Sequence, residues 1–82
     1  MKFRAENLIK IGQVYKVNLS YCICYFQPTR YHYRDDNDKN SKNGYWGNYT
    51  THTKYITKLN DLKDSGWLEF RYFKPENKIE LL

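Results

Sequence analysis

Alanine occurs once in the 82 residues, at Ala5, and methionine only at position 1. With leucine the only frequent strong apolar helix former, the composition argues against a helical bundle. No apolar run approaches the roughly 18 residues of a membrane-spanning helix, and "MKFRAENLIKIG" lacks the apolar stretch of a signal peptide. A cytoplasmic chain without a membrane partner is therefore expected. Cysteine is limited to Cys22 and Cys24. On a strand they point to one face, where a disulfide across so short a spacing is strained, so both read as free thiols.

Metal and catalytic patterns are equally scarce. Cys22, Cys24, His32 and His52 include zinc-ligand residue types, but one intervening residue does not let a turn wrap the ion. "DDNDKNSKNG" places Asp36, Asp38 and Asn40 at alternate positions, as a calcium loop does. Ser41 then stands where the loop needs glycine, and Gly47 where it needs glutamate. There is no glycine-rich phosphate cradle. His32 and His52 with Asp35 and Asp36 are the one acid-base set, and no nucleophile stands beside them. The expectation is a non-enzymatic protein without metal or cofactor.

What the chain does have is aromatic: nine tyrosines, four phenylalanines and two tryptophans. Tyrosine, threonine, valine and isoleucine suit pleated, half-buried surfaces. The length allows one domain, residues 1–82, with a thin core and little room for an internal pocket. "IKIGQVYKVNLSYCICYF" alternates after Gly12 and Gln13 and reads as one long bent strand. Val17, Leu19, Tyr21, Ile23 and Tyr25 form its core face; Lys16, Asn18, Ser20, Cys22, Cys24 and Phe26 form the other. Pro28 predicts a break or an edge, after which "RYHYR" resumes the alternation.

The polar stretch at 35–44 predicts a solvated hairpin loop or disordered tip, and "YWGNYTTHTKYITKL" a third strand. "NDLKDSGW" carries turn chemistry with Gly66 suited to positive φ, "WLEFRYF" reads as a strand, "KPEN" as a tight turn and "KIELL" as a closing strand. The fold class is all-β: a small twisted barrel or coiled antiparallel sheet of about five strands, with one helical turn at "AENL".

"IKIGQVYKV", with the later succession "KYITKL", "WLEFRYF" and "KIELL", resembles small barrels of the Src-homology-3 type. That likeness implies a barrel and leaves activity open. "KIGQVYKVNLS" is also similar to the opening of MazF/PemK-type endoribonuclease toxins. Here Gln13 stands in place of their acidic residue, their Arg-Pro pair is missing, and Pro28 precedes Thr29 and Arg30.

Charge indicates where a partner is drawn. The net charge is +5; residues 1–34 carry +5, residues 35–47 carry −1 and residues 48–82 carry +1. On a strand Arg30, His32 and Arg34 share one face, about 7 Å apart, and suit phosphate or carboxylate oxygens; Tyr31 and Tyr33 take the other. The opposing reading is a solvated face partly neutralised by Asp35, Asp36 and Asp38. Lys10 and Lys16 add to the basic surface. Trp67, Arg71 and Phe73 form a second candidate surface opposite Leu68, Phe70 and Tyr72, with the composition of an interface hot spot or a base-stacking platform.

These features point first to a module that binds nucleic acid, single-stranded or without sequence preference. The alternative is a small inhibitor, of phage or mobile-element type, that docks on a host enzyme or defence complex, as anti-CRISPR and other anti-defence proteins do. A ribonuclease toxin is the minor alternative. Edge strands and exposed aromatics also favour pairing with a second copy as a homo-oligomer.

Overall fold

The structure is a computed structural model that describes residues 9–73, 77 and 79–82. The helical turn expected at "AENL" and the turn expected at Pro75 lie outside the described residues. Five antiparallel strands form one sheet in the order β4-β3-β2-β1-β5: β1 (Tyr15–Asn18), β2 (Ile23–His32), β3 (Gly44–Thr50), β4 (Gly66–Glu69) and β5 (Glu80–Leu81). β4 and β5 are its two edges and do not pair with each other, so the sheet is open. Of the two expected architectures it is the coiled antiparallel sheet, without the closure that the Src-homology-3 likeness implied.

The long first strand predicted from alternation is instead a hairpin. The Leu19 N–H donates to the Cys22 carbonyl at 2.8 Å, and the register across it pairs Val17 with Cys24 and Tyr15 with Phe26. A four-residue connection between paired Asn18 and Ile23 resets the face of everything after it. The core set is therefore Tyr15, Val17, Cys24 and Phe26, while Tyr21 is 78% exposed and Ile23 is also exposed. This reverses the unbroken alternation, which puts Tyr21, Ile23 and Tyr25 inside and Cys24 and Phe26 outside. Tyr25 is half-buried.

Both cysteines are free thiols: Cys22 is half-buried and Cys24 buried. Burial, and to a lesser degree neighbouring Cys22, push the Cys24 thiol up to about 12. Iodoacetamide at pH 8 is expected to modify Cys22 in the folded protein and to reach Cys24 only after unfolding. Mass spectrometry of the labelled peptides checks this, and equal labelling of both would contradict the packing of β2.

Pro28 neither breaks β2 nor sits at an edge. β2 is the central strand, and Pro28 is accommodated where its pairing with β3 slips between Pro28 and Arg30. A bulge is where a residue without an N–H does least harm to a ladder. The Pro28 carbonyl accepts the Gly12 N–H at 2.8 Å, and the Thr29 hydroxyl oxygen lies 3.2 Å from the Trp46 carbonyl.

Beyond Thr50 the predicted third strand ends, and Thr53–Asp61 form a 3-10 helix. Its three-residue turn stacks Ile56, Leu59 and Leu62 along one side, of which Leu59 is buried. Leu59 lies outside the main core cluster, because this helix packs on β2 and β3 separately from it. A second 3-10 helix, Phe70–Phe73, replaces the latter half of the predicted strand "WLEFRYF". The turn before β4 takes its positive φ at Lys63 and Asp64 and not at Gly66. Gly66 serves a different need: a Cβ there would sit 2.9 Å from the Cβ of Tyr49.

The main core lies on one side of the sheet and is largely aromatic. Phe73 packs against Phe26 and Tyr45 with ring centroids 5.9 and 5.3 Å away, and Tyr45 meets Phe70 at 5.1 Å. On the other side a chain of amides ties the turn at Gly12, the middle of β2, β3 and the loop before β4 together. Gln27 donates to the Gly12 carbonyl and accepts from the buried Asn48, whose own oxygen accepts the Asp64 N–H at 2.8 Å. Burying Asn48 is tolerable because both ends of its amide are bonded.

Candidate basic and aromatic surface

The bulge at Thr29 decides how the opening of "RYHYR" is presented. Register places Arg30 opposite Trp46, Tyr31 opposite Tyr45, and His32 opposite Gly44; across β4, Trp67 lies opposite Trp46. Arg30, His32, Trp46 and Trp67 thus share the face away from the main core, and Tyr31 points into it. The Tyr31 ring meets Tyr45 and Phe70 edge-on at 5.3 and 4.9 Å.

The predicted three-member cationic row is shortened to two, because β2 stops at His32 and Arg34 lies beyond the strand end. Arg30 is already engaged. Its Nε is 3.1 Å from Asp64 Oδ2 and its guanidinium lies over the Trp46 ring at 5.2 Å. The Thr29 hydroxyl also bonds Asp64; that bond and the Arg30 guanidinium hold the Asp64 carboxyl below the usual carboxylate range. His32 accepts the Trp46 indole N–H on Nδ1 at 3.1 Å and meets the Trp67 ring edge-on at 5.5 Å.

Tyr33 stays on the side of Tyr31, as the alternation expects. It stacks on Tyr31 with ring centroids 4.3 Å apart and yet remains 73% exposed, since the strand has ended beneath it. Arg34 follows. Its backbone N–H is held by Asn43 Oδ1 at 2.7 Å, and its guanidinium is in no ion pair among the described residues. The loop after it is fastened by its own side chains: Asp35 and Asp38 each accept a backbone N–H two residues on, and Ser41 accepts the Asp35 N–H. The polar loop is thus a structured hairpin connection, and none of its carboxylates forms an ion pair with Arg34 among the described residues.

The second predicted surface dissolves. Phe73 is fully buried in the core, because the 3-10 turn after Glu69 rotates it inward, so it is withdrawn as a contact residue. Trp67 is half-buried beside His32, and its Nε1 is buried without an acceptor among the described residues. Arg71 pairs with Glu69 at 3.0 Å and lies over its neighbour Tyr72 at 4.8 Å. Lys16 lies 4.0 Å from Glu80 on adjacent β5, and Lys10 is exposed.

Sequence reasoning missed three participants. Trp46 and Asp64 join Arg30 only through strand pairing and the loop before β4, which local alternation does not report. The first 3-10 helix is the other omission: it exposes Lys54 and Lys58, with Lys54 over the ring of exposed Tyr55 at 5.0 Å. The basic surface is thus spread further along the chain than residues 1–34.

No group of three or more metal-ligating side chains is found among the described residues, and no helix there is long and apolar enough to cross a membrane. Fold and surface together define a small open antiparallel β-sheet protein with exposed Tyr33 and Arg34 at the β2–β3 hairpin end and exposed Lys54, Tyr55 and Lys58 along a 3-10 helix. Compared with protein-family profiles, curated proteins and solved structures, the chain matches none.

Proposed function

We propose that this chain is a non-enzymatic binding module for an anionic macromolecule, nucleic acid, with Tyr33 and Arg34 at the centre of the contact. The observation that carries this reading is the exposed Tyr33 ring, braced from behind by Tyr31, next to an arginine that meets no carboxylate. A braced, wet aromatic ring offers a π-face to a base, and an unpaired guanidinium suits a phosphate. Lys10, Lys54 and Lys58, all exposed, add positive charge elsewhere on the surface. Single strands fit better than duplexes, because a stacking face needs an unpaired base.

Fluorescence anisotropy with short labelled DNA and RNA at low salt tests the reading. Binding is expected, with affinity falling steeply as salt rises. Tyr33→Ala is expected to weaken it by about 1–3 kcal/mol, and Arg34→Ala to weaken it and flatten the salt dependence. Absence of binding to either nucleic acid at low salt would end this reading.

A second reading, a protein inhibitor of mobile-element type, draws on the opposite character of the neighbouring face. There Arg30 is balanced by Asp64 and Arg71 by Glu69 around Trp46 and Trp67, a tryptophan and arginine composition typical of protein interface hot spots. Recovery from host lysate of one stable partner that survives nuclease treatment would favour it over nucleic acid.

A further inference from the structure

We propose that His32 is a proton-operated latch on Trp46, so that acidification releases the indole and adds a cation beside Arg30 and Arg34. Trp46 is held from two directions. The Arg30 guanidinium covers its ring, and its indole N–H donates to His32 Nδ1 at 3.1 Å. An imidazole nitrogen that accepts must carry its lone pair, so this bond exists only while His32 is neutral with its proton on Nε2. An imidazolium is a donor at both nitrogens. Protonation therefore sets an N–H against the indole N–H and breaks the contact.

The surroundings leave His32 as the group that changes. Along its own strand stand Arg30 and, past the strand end, Arg34. Across side-chain-free Gly44 on β3, register brings Glu69 of β4, which is paired to Arg71 of the second 3-10 helix. From the loop before β4 comes Asp64, held ionised by Thr29 and Arg30. The remaining side chains of β3 on this face, Trp46, Asn48 and Thr50, do not titrate. Both carboxylates already have arginine partners, so a proton on His32 leaves a net added positive charge on this face.

The structural half of this proposal stands without a ligand, and the functional half rests on the nucleic-acid reading. Two tryptophans give two indole N–H signals in a proton–nitrogen correlation spectrum, and Trp46→Phe assigns them. The Trp46 signal is expected to shift between pH 8 and 5 in the wild type and equally in His52→Gln. It should stay flat in His32→Gln, whose amide oxygen accepts the same N–H but takes no proton. A flat wild-type signal, or one that titrates in His32→Gln as in the wild type, would overturn the latch. The ring signals of His32 give a second check that needs no His32 variant: their pH profiles must differ between wild type and Trp46→Phe, and identical profiles overturn it.

With an oligonucleotide, wild-type affinity is expected to rise by up to about fivefold over the same interval, and the rise should vanish in His32→Gln. A rise of equal size in that variant sinks the functional half. No binding at any pH, with the indole transition intact, sinks the nucleic-acid reading and leaves the latch standing.

Discussion

Phe73→Ala is expected to cost about 3–5 kcal/mol, a large part of the roughly 4–12 kcal/mol available to a domain of this length. The ring is fully buried and touches two other aromatics, Phe26 and Tyr45. A thin core offers few side chains to collapse into the space left behind. Urea unfolding followed by tryptophan fluorescence measures the loss. Arg71→Ala, two residues away and on the surface, serves as the comparison and is expected to cost about 1 kcal/mol or less. Equal midpoints for the two variants would return Phe73 to the surface and undo the 3-10 turn that buries it.

The second large effect is expected at Gly47, where strand β3 crosses the bulged part of β2. A Cβ there would lie 2.3 Å from the Gln27 carbonyl oxygen and 2.8 Å from Phe26 Cζ. The first of these is backbone, so Gly47→Ala must separate or slip the two strands at the centre of the sheet. The expected loss is about 3 kcal/mol, at the upper end of ordinary overpacking. In a domain this small that lowers the thermal midpoint by about 10 °C or more.

Gly12→Ala is the instructive contrast. Gly12 has φ +93° and open space where a Cβ would go, so its cost is one of backbone conformation alone, about 1–2 kcal/mol. Differential scanning calorimetry of both variants separates steric from conformational need. A Gly47→Ala midpoint as high as that of Gly12→Ala would contradict the close approach of β2 and β3.

The two contrasts share a cause with the surface assignments. Alternation reports which residues share a face only while the chain remains one regular strand. Between Val17 and Cys24 a tight turn intervenes, and between Pro28 and Arg30 a bulge does; each adds residues that the two-residue period does not count. After Glu69 the period changes to that of a 3-10 helix, which turns Phe73 into the core and away from any partner. At Tyr33 the strand had ended, so the pattern that made it a partner of Tyr31 could not say that it stays wet.

Some of the candidate surface was nevertheless readable. Arg30 and His32 do share a face opposite Tyr31, because they lie two positions apart on intact strand. Lys10 and Arg34 are exposed, as charged side chains beside turns generally are. What escaped was pairing. Asp64 lies thirty-four residues from Arg30 and finds it only because positive φ at Lys63 and Asp64 turns the chain back onto β3.

By itself the sequence determined the all-β class, the approximate number of strands, the polar loop between β2 and β3 and the excess of positive charge, since composition and turn residues act locally. The tertiary structure alone decided that the sheet stays open, which aromatic rings are core, and which cations are already spoken for. Those depend on register across strands and on carboxylates distant in sequence, and no local period carries that information.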